Sequence, residues 1–352
     1  MTIPTSSTSS SKRPGWRDAA AFGAFAVLLI ATLNVAARLT DNPERVDTMR
    51  AKLESTPGHR MAVLGPSVGK AVFPEAMCID GVNLAEHGLD VFEQRAIARA
   101  VIERGDVPRL WLMAVMPGVT LADNGSPAAR RGEQRQLVYR VLHAIGDWRL
   151  IDGDWKTAAR VEVFPALGYL DWKARANEVR RRMTGRRAVR SEPRYTSERI
   201  ASPAHDSRQA EIWARGRYDE FERVNYHDGR VRERAVASLL GTARMIEQNG
   251  GRMVLVYVPI SPAMQHEMRT TIANHGNAKR LMIAEARRAG ITVIDDTAHP
   301  RISSDLANFR DPIHLNYRGG LTYSRDLAER LARMGIIDRP NCPAVLPAKP
   351  RN

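Results

Sequence analysis

The sequence is poor in many of the groups that carry chemistry. Two cysteines, Cys78 and Cys342, occur in 352 residues. No histidine stands at ligand spacing from either, so a structural Cys/His zinc site is not indicated. No His-Glu-x-x-His is present, and His143, His205, His227, His275 and His299 share no spacing. They read as structural or solvated, and no metal is expected. Aromatic residues make up 6% of the chain and do not interleave with basic ones. That gives no platform for stacking bases, and no nucleic-acid partner is expected. A phosphate-cradling loop is also missing. In Gly65-Pro66-Ser67-Val68-Gly69-Lys70-Ala71 three residues, not four, separate the glycines, and alanine replaces the magnesium-binding hydroxyl. No organic cofactor is expected. No internal repeat is visible.

Charge and apolar patterning are more informative. Net charge is +14, carried mostly by arginine, which fits a basic solvated surface or an acidic partner such as a polyanionic glycan or lipid face. Lys12, Arg13 and Arg17, in the basic tail of residues 1–18, flank an uncharged run, Ala19 to Ala37. A segment of this length, 19–38, suits a single transmembrane helix, with the basic flank cytoplasmic and the rest of the chain extracytoplasmic or periplasmic. A cleaved signal peptide is the alternative, with Val35 and Ala37 as small residues before the cut. Either reading exports the chain into a compartment that permits disulfides, so a Cys78–Cys342 bridge pinning the C-terminal tail, residues 341–352, is open.

Residues 40–60 read as a linker helix ending in a Pro57-Gly58 turn. Short apolar runs follow at 61–65, 78–84, 109–115, 252–258 and 291–295, with helical patterns at about 91–104, 231–249 and 277–289. Buried strands alternating with amphipathic helices predict an α/β three-layer sandwich around a parallel sheet of about five strands. Its two stretches are 61–124 and 231–340. Between them, residues 125–230 are too long for one crossover. They are rich in Arg and Trp (Trp148, Trp155, Trp172, Trp213), and residues 173–199 hold ten Lys and Arg against three Glu. This segment reads as a mostly helical insertion, either solvated or a docking surface.

The loop at 65–69 also matches Gly-x-Ser-x-Gly, the nucleophile turn of α/β-hydrolases. In that fold, however, several strands precede the serine, whereas Ser67 follows the first apolar run. Near the other end stands Phe309-Arg-Asp-Pro-Ile-His314-Leu-Asn-Tyr-Arg-Gly-Gly320. A serine hydroxyl is a weak nucleophile without an adjacent base. His314 supplies one if its ring reaches Ser67, and Asp311, three residues earlier, is placed to orient the imidazole. Pro312 restricts the backbone between them.

A serine after strand one, Val82-Asn83-Leu-Ala-Glu-His-Gly88 after strand two, and Asp-x-x-His before the last helix together resemble the SGNH (GDSL-type) hydrolase superfamily, over about residues 60–335. The apolar N-terminus and the long insertion are most similar to its envelope acyl-transfer branch, which includes alginate O-acetylation and teichoic-acid D-alanyl-transfer proteins. The resemblance implies a Ser67–His314–Asp311 triad and a serine-bound acyl group, with a polysaccharide acceptor and a multi-spanning membrane acyltransferase as donor partner. It also implies oxyanion donors at the Ser67 and Gly88 amides. Asn83 either braces its loop or donates to substrate. Two departures stand out. Pro66 occupies a position where the hydrolases usually carry Asp. The Gly-x-Asn-Asp block after strand three is missing, so its donor position falls near Gly118, with Asn124 several residues beyond. An esterase or lipase, and a degenerate glycan-binding or scaffold protein, remain the alternatives. Tyr257 and Pro259 stand where a strand end either lines a cleft or packs. Asp295 and Asp296 stand where carboxylates cap or solvate, and Arg318 is a candidate for an anionic group.

Overall fold

The five apolar runs form one parallel sheet. A computed structural model of the protein describes residues 15–39, 44–105, 107–121, 145, 200–224 and 229–338. The chain divides into two compact units, residues 1–42 with 155–185, and residues 43–154 with 186–352. Of the first unit, the described part is helix α1 (Trp16–Leu39), with exposed side chains that include Phe22, Phe25, Val27 and Leu28. It is long and apolar enough to cross a bilayer.

In the second unit, helix α2 (Glu44–Ser55) leads to β1 (Met61–Leu64), β2 (Gly81–Asn83), β3 (Leu110–Val115), β4 (Arg252–Tyr257) and β5 (Thr292–Asp295). The strand order is β2-β1-β3-β4-β5, with every pairing parallel. β1 and β3 are buried at every position, as strands covered on both faces must be. Alternate residues divide between two cores. Ala62, Leu64, Trp111, Met113, Val115, Leu255 and Tyr257 pack with α3 (Val91–Glu103), α5 (Gly229–Gln248) and α7 (Ala273–Arg288). Met61, Val63, Leu110, Leu112, Ala114, Val254 and Val256 pack with α8 (Tyr317–Arg333). The period of two along each strand thus assigns the helices to two layers.

Local signals set the boundaries. Asp90 Oδ1 accepts from the amides of Phe92 (2.8 Å) and Glu93 (3.2 Å), and Glu93 Oε2 accepts from the Asp90 amide (2.7 Å). This reciprocal cap starts α3 and is worth about 1 kcal/mol. Helix α4 (Pro203–Val224) falls within the stretch that the sequence pattern treats as an insertion. It packs on the core nonetheless: Ala210 and Ala214 are buried with Ile260, Met264, Ile272 and Ile313 around the short helix α6 (Pro262–Glu267). Most of the rest of the insertion, with Trp148, Trp155 and Trp172, lies outside the described residues.

After β1 the chain moves to one side of the sheet to make β2, then returns to β1's other side for β3. This order therefore reverses at β1, and in open parallel sheets ligands bind where the order reverses, at the carboxyl ends of the strands. Ser67 comes three residues after β1 ends.

Candidate active site

The loop after β1 is forced into a tight path. Gly65 has φ +153°, and a Cβ there would lie 2.1 Å from the Ala114 carbonyl oxygen on β3, so only glycine fits. Pro66 follows, and Ser67 begins a 3-10 turn, Ser67–Ala71. Asn83 braces this turn: its Nδ2 donates to the carbonyls of Gly69 (2.9 Å) and Val72 (2.7 Å), while its Oδ1 accepts from the Ala85 amide (2.9 Å). That uses both amide hydrogens on backbone, so of the two roles open to Asn83 the structure shows the bracing one.

The partner groups arrive from the far end of the chain on a short hairpin, β6 (Phe309–Asp311) and β7 (His314–Leu315), in which Asp311 pairs with His314. Pro312 and Ile313 form the connection. The Pro312 carbonyl accepts from the Ser261 amide (2.9 Å), tying the hairpin to the loop after β4. Asn316, which caps α8, accepts from the Gly319 amide (2.8 Å) and donates to the Ala307 carbonyl (2.6 Å).

The result is a line of three side chains. Ser67 Oγ lies 2.8 Å from His314 Nε2, and His314 Nδ1 lies 2.8 Å and 2.9 Å from the two Asp311 oxygens. Asp311 Oδ1 also accepts from the amides of His314 (2.9 Å) and Ile313 (3.2 Å). Burial alone would raise the Asp311 carboxyl. The hydrogen bond and charge of His314, the nearby Arg310 guanidinium and the Ile313 amide outweigh it and hold the group below the ordinary carboxylate value. An ionised Asp311 fixes Nδ1 as the protonated nitrogen and leaves Nε2 to accept the serine proton.

No protein-family model matches this chain, and no curated protein matches it.

Gly88 sits at φ +72°, on the loop whose Glu86 amide donates to the Gly65 carbonyl (3.1 Å). Gly118 has φ +84° and packs on a buried histidine, since a Cβ there would lie 2.8 Å from His275 Cδ2. Asn124 lies outside the described residues. The Ser67 amide donates to no acceptor among the described residues. Cys78 is disulfide-bonded, and Cys342 lies outside the described residues. Tyr257 and Pro259 are buried rather than lining a cleft. Asp296 is not solvated either: it is 3% exposed and accepts from Tyr323 Oη (3.0 Å) and from Arg330. Asp295 pairs with Lys279 (2.9 Å). Among the described residues no cluster of three metal-ligating side chains occurs.

Two polar features near the site carry little clear signal in the sequence. Lys70 and Glu86 form a buried ion pair, with Lys52 beside it. Asp206 on α4 is 2% exposed. Burial and the Asp311 charge raise its carboxyl, against a hydrogen bond from Ser261. A serine followed three residues on by a lysine was the signal for Lys70. Such a lysine can act as a base in some acyl-transfer enzymes, but here its ammonium is turned to Glu86. A groove of about 480 Å³ opens along the first turns of α8, lined by Ile200, Tyr317, Arg318, Leu321, Thr322 and Arg325, among others.

Proposed function

We propose that the protein is a membrane-anchored, extracytoplasmic SGNH-type serine enzyme that transfers an acyl group, acetyl in the simplest case, to a hydroxyl of a cell-envelope or secreted polysaccharide. The observation that carries this reading is the unbroken line Ser67 Oγ–His314 Nε2 and His314 Nδ1–Asp311, with both contacts at 2.8 Å. Support also comes from its position at the carboxyl edge where the strand order reverses.

In the first half-reaction Ser67 Oγ attacks the acyl carbonyl while His314 Nε2 takes the hydroxyl proton. The Ser67 amide donates to the developing oxyanion, a role that is worth about 10²–10³ in rate per donor. Collapse breaks the bond to the donor's leaving oxygen, which receives the proton from His314, and the acyl group stays on Ser67 as an ester. In the second half a sugar hydroxyl attacks that ester and gives its proton to His314. The Ser67 oxygen leaves and takes the proton back. Asp311 stays ionised throughout and stabilises the imidazolium. Transfer in place of hydrolysis requires that water be kept from the ester until the acceptor binds. The α8 groove, which begins two residues after His314 and carries Arg318 and Arg325, suits an acceptor chain with anionic groups. The donor is an acyl carrier delivered by a multi-spanning membrane partner.

Fluorophosphonate labelling of the full chain tests the nucleophile. Wild type is expected to label and Ser67→Ala not to. Incubation with an activated acetyl ester and an oligosaccharide then separates the outcomes. Acetylated sugar supports transfer, free acetate alone points to an esterase, and no labelling leaves a binding protein.

A further inference from the structure

The turn that presents Ser67 carries a second, wholly different feature. Lys70 lies three residues after Ser67 in the same 3-10 turn and is 9% exposed. Its ammonium donates to Glu86 Oε1 at 2.5 Å, and Glu86 is 7% exposed. The same Oε1 accepts from the His87 amide (2.9 Å), and Glu86 Oε2 lies 3.8 Å from Lys52 Nζ, which itself donates to the Ala85 carbonyl (3.1 Å). Three charges from α2, the serine turn and the loop after β2 thus meet in one place. Burial pushes the Lys52 ammonium down to about 8, with Lys70 adding to the effect and Glu86 opposing it. Burial would raise Glu86, but the charges of Lys70 and Lys52, the Lys70 hydrogen bond and the His87 amide hold it well below the ordinary carboxylate value, so Glu86 stays ionised across the physiological range.

Stability alone is a poor reason for such a group. Burying charges costs several kcal/mol per ion, and apolar residues of equal volume often fold as well or better. What an ion pair adds is direction. Asn83 holds the carbonyls of Gly69 and Val72 at the far end of the Ser67 turn, and Val68 and Ala71 are buried in the core. To these contacts the Lys70–Glu86 bond adds a charged anchor of fixed direction. A pivot would shift Ser67 Oγ away from His314 Nε2 and the Ser67 amide away from the oxyanion together, and misplacement by about 1 Å costs on the order of 10²-fold in rate.

We propose that Lys70 and Glu86 are positioning residues: their buried ion pair, with Lys52 as outer counter-charge, fixes the pitch of the Ser67 turn and through it the rate of acylation. The inference rests on the reading of Ser67 as the acyl-bearing serine, and the test keeps the two apart.

The test uses the full chain with the double variant Lys70→Met/Glu86→Leu, which fills the same space without charge, beside Glu86→Gln and Lys70→Arg. Fluorophosphonate labelling is resolved into its maximal rate and its half-saturating concentration. Melting temperature and amide hydrogen exchange at Gly69 and Val72 are followed in parallel. The double variant is expected to melt near wild type yet label about 10- to 100-fold more slowly, the loss falling on the maximal rate. A purely structural pair predicts a folded double variant labelling within a factor of two of wild type, and that result overturns the proposal. Should the double variant not fold, Glu86→Gln and Lys70→Arg decide. A fall in maximal rate at unchanged half-saturation supports positioning, and unchanged rates overturn it. Should wild type itself not label, the nucleophile reading fails separately. Exchange at Gly69 and Val72 then decides: faster exchange in Glu86→Gln supports a held turn, and equal exchange sinks it.

Discussion

Asp311 and His314 are cross-strand partners in a hairpin whose connection is only Pro312 and Ile313. The acid and the base are therefore set against each other by local backbone pairing before either meets Ser67. The Asp311 carboxylate accepts from the His314 amide as well as from its ring, so one group fixes both the backbone and the imidazole.

The first prediction concerns the base. His314→Ala removes the proton acceptor, and general-base groups contribute about 10²–10⁴ in rate. Labelling and ester turnover should fall by that factor while the melting temperature stays close to wild type. Turnover within threefold of wild type would exclude His314 from the chemistry.

Asp311 makes a pH-dependent contribution of definite sign. Its folded pKa is depressed, so its stabilising effect is present above the unfolded carboxyl value of about 4 and is lost as pH falls through the lower folded value. Asp311→Asn should lower the melting temperature at pH 6–7, and the gap to wild type should close toward pH 2. A gap independent of pH would contradict this.

Asp206 runs the other way. Its pKa is raised by burial first and then by Asp311, and Oδ1 has no hydrogen-bond partner among the described residues. Stability linked to its protonated form is complete below the unfolded value of about 4 and is lost as pH rises through the folded one. Asp206→Asn, which keeps an acceptor for Ser261, should therefore stabilise the protein near pH 7 and have little effect near pH 3. Denaturant midpoints at the two pH values check this.

Tyr257 is 1% exposed, and its hydroxyl has no partner among the described residues. Leaving a buried polar group unpaired costs about 1–3 kcal/mol. Tyr257→Phe should be neutral or stabilising, measurable as an unchanged or higher melting temperature.

For the membrane reading, an arginine in the middle of α1 is costly in a bilayer, by about 2.5–3.5 kcal/mol on insertion scales. Leu29→Arg should move the protein from the membrane to the soluble fraction on alkaline extraction. Equal partitioning would count against α1 as an anchor.

The parallel sheet was legible because its central strands β1, β3 and β4 are short, nearly continuous apolar runs, and both faces of the sheet are covered. Trp111 and Leu112 pack on opposite faces, yet both are apolar, so the run gives the strand away. The serine and the Asp-x-x-His were legible as residue types at suggestive places. The hairpin was not, because a three-residue and a two-residue strand carry no period. Glu86 was hidden for a different reason. In Ala85-Glu86-His87-Gly88 it looks like a solvated loop residue, and only the fold brings Lys70 and Lys52 to it. Asp296 was misjudged similarly, its partners Tyr323 and Arg330 lying on α8.

Ser67 and His314 are separated by 247 positions. Chains are made from the amino end, so the hydroxyl emerges long before the imidazole that lies against it. A chain stopped ahead of residue 314 holds the hydroxyl without the imidazole. If the proposed mechanism holds, the half-made protein cannot acylate itself or its neighbours during biosynthesis.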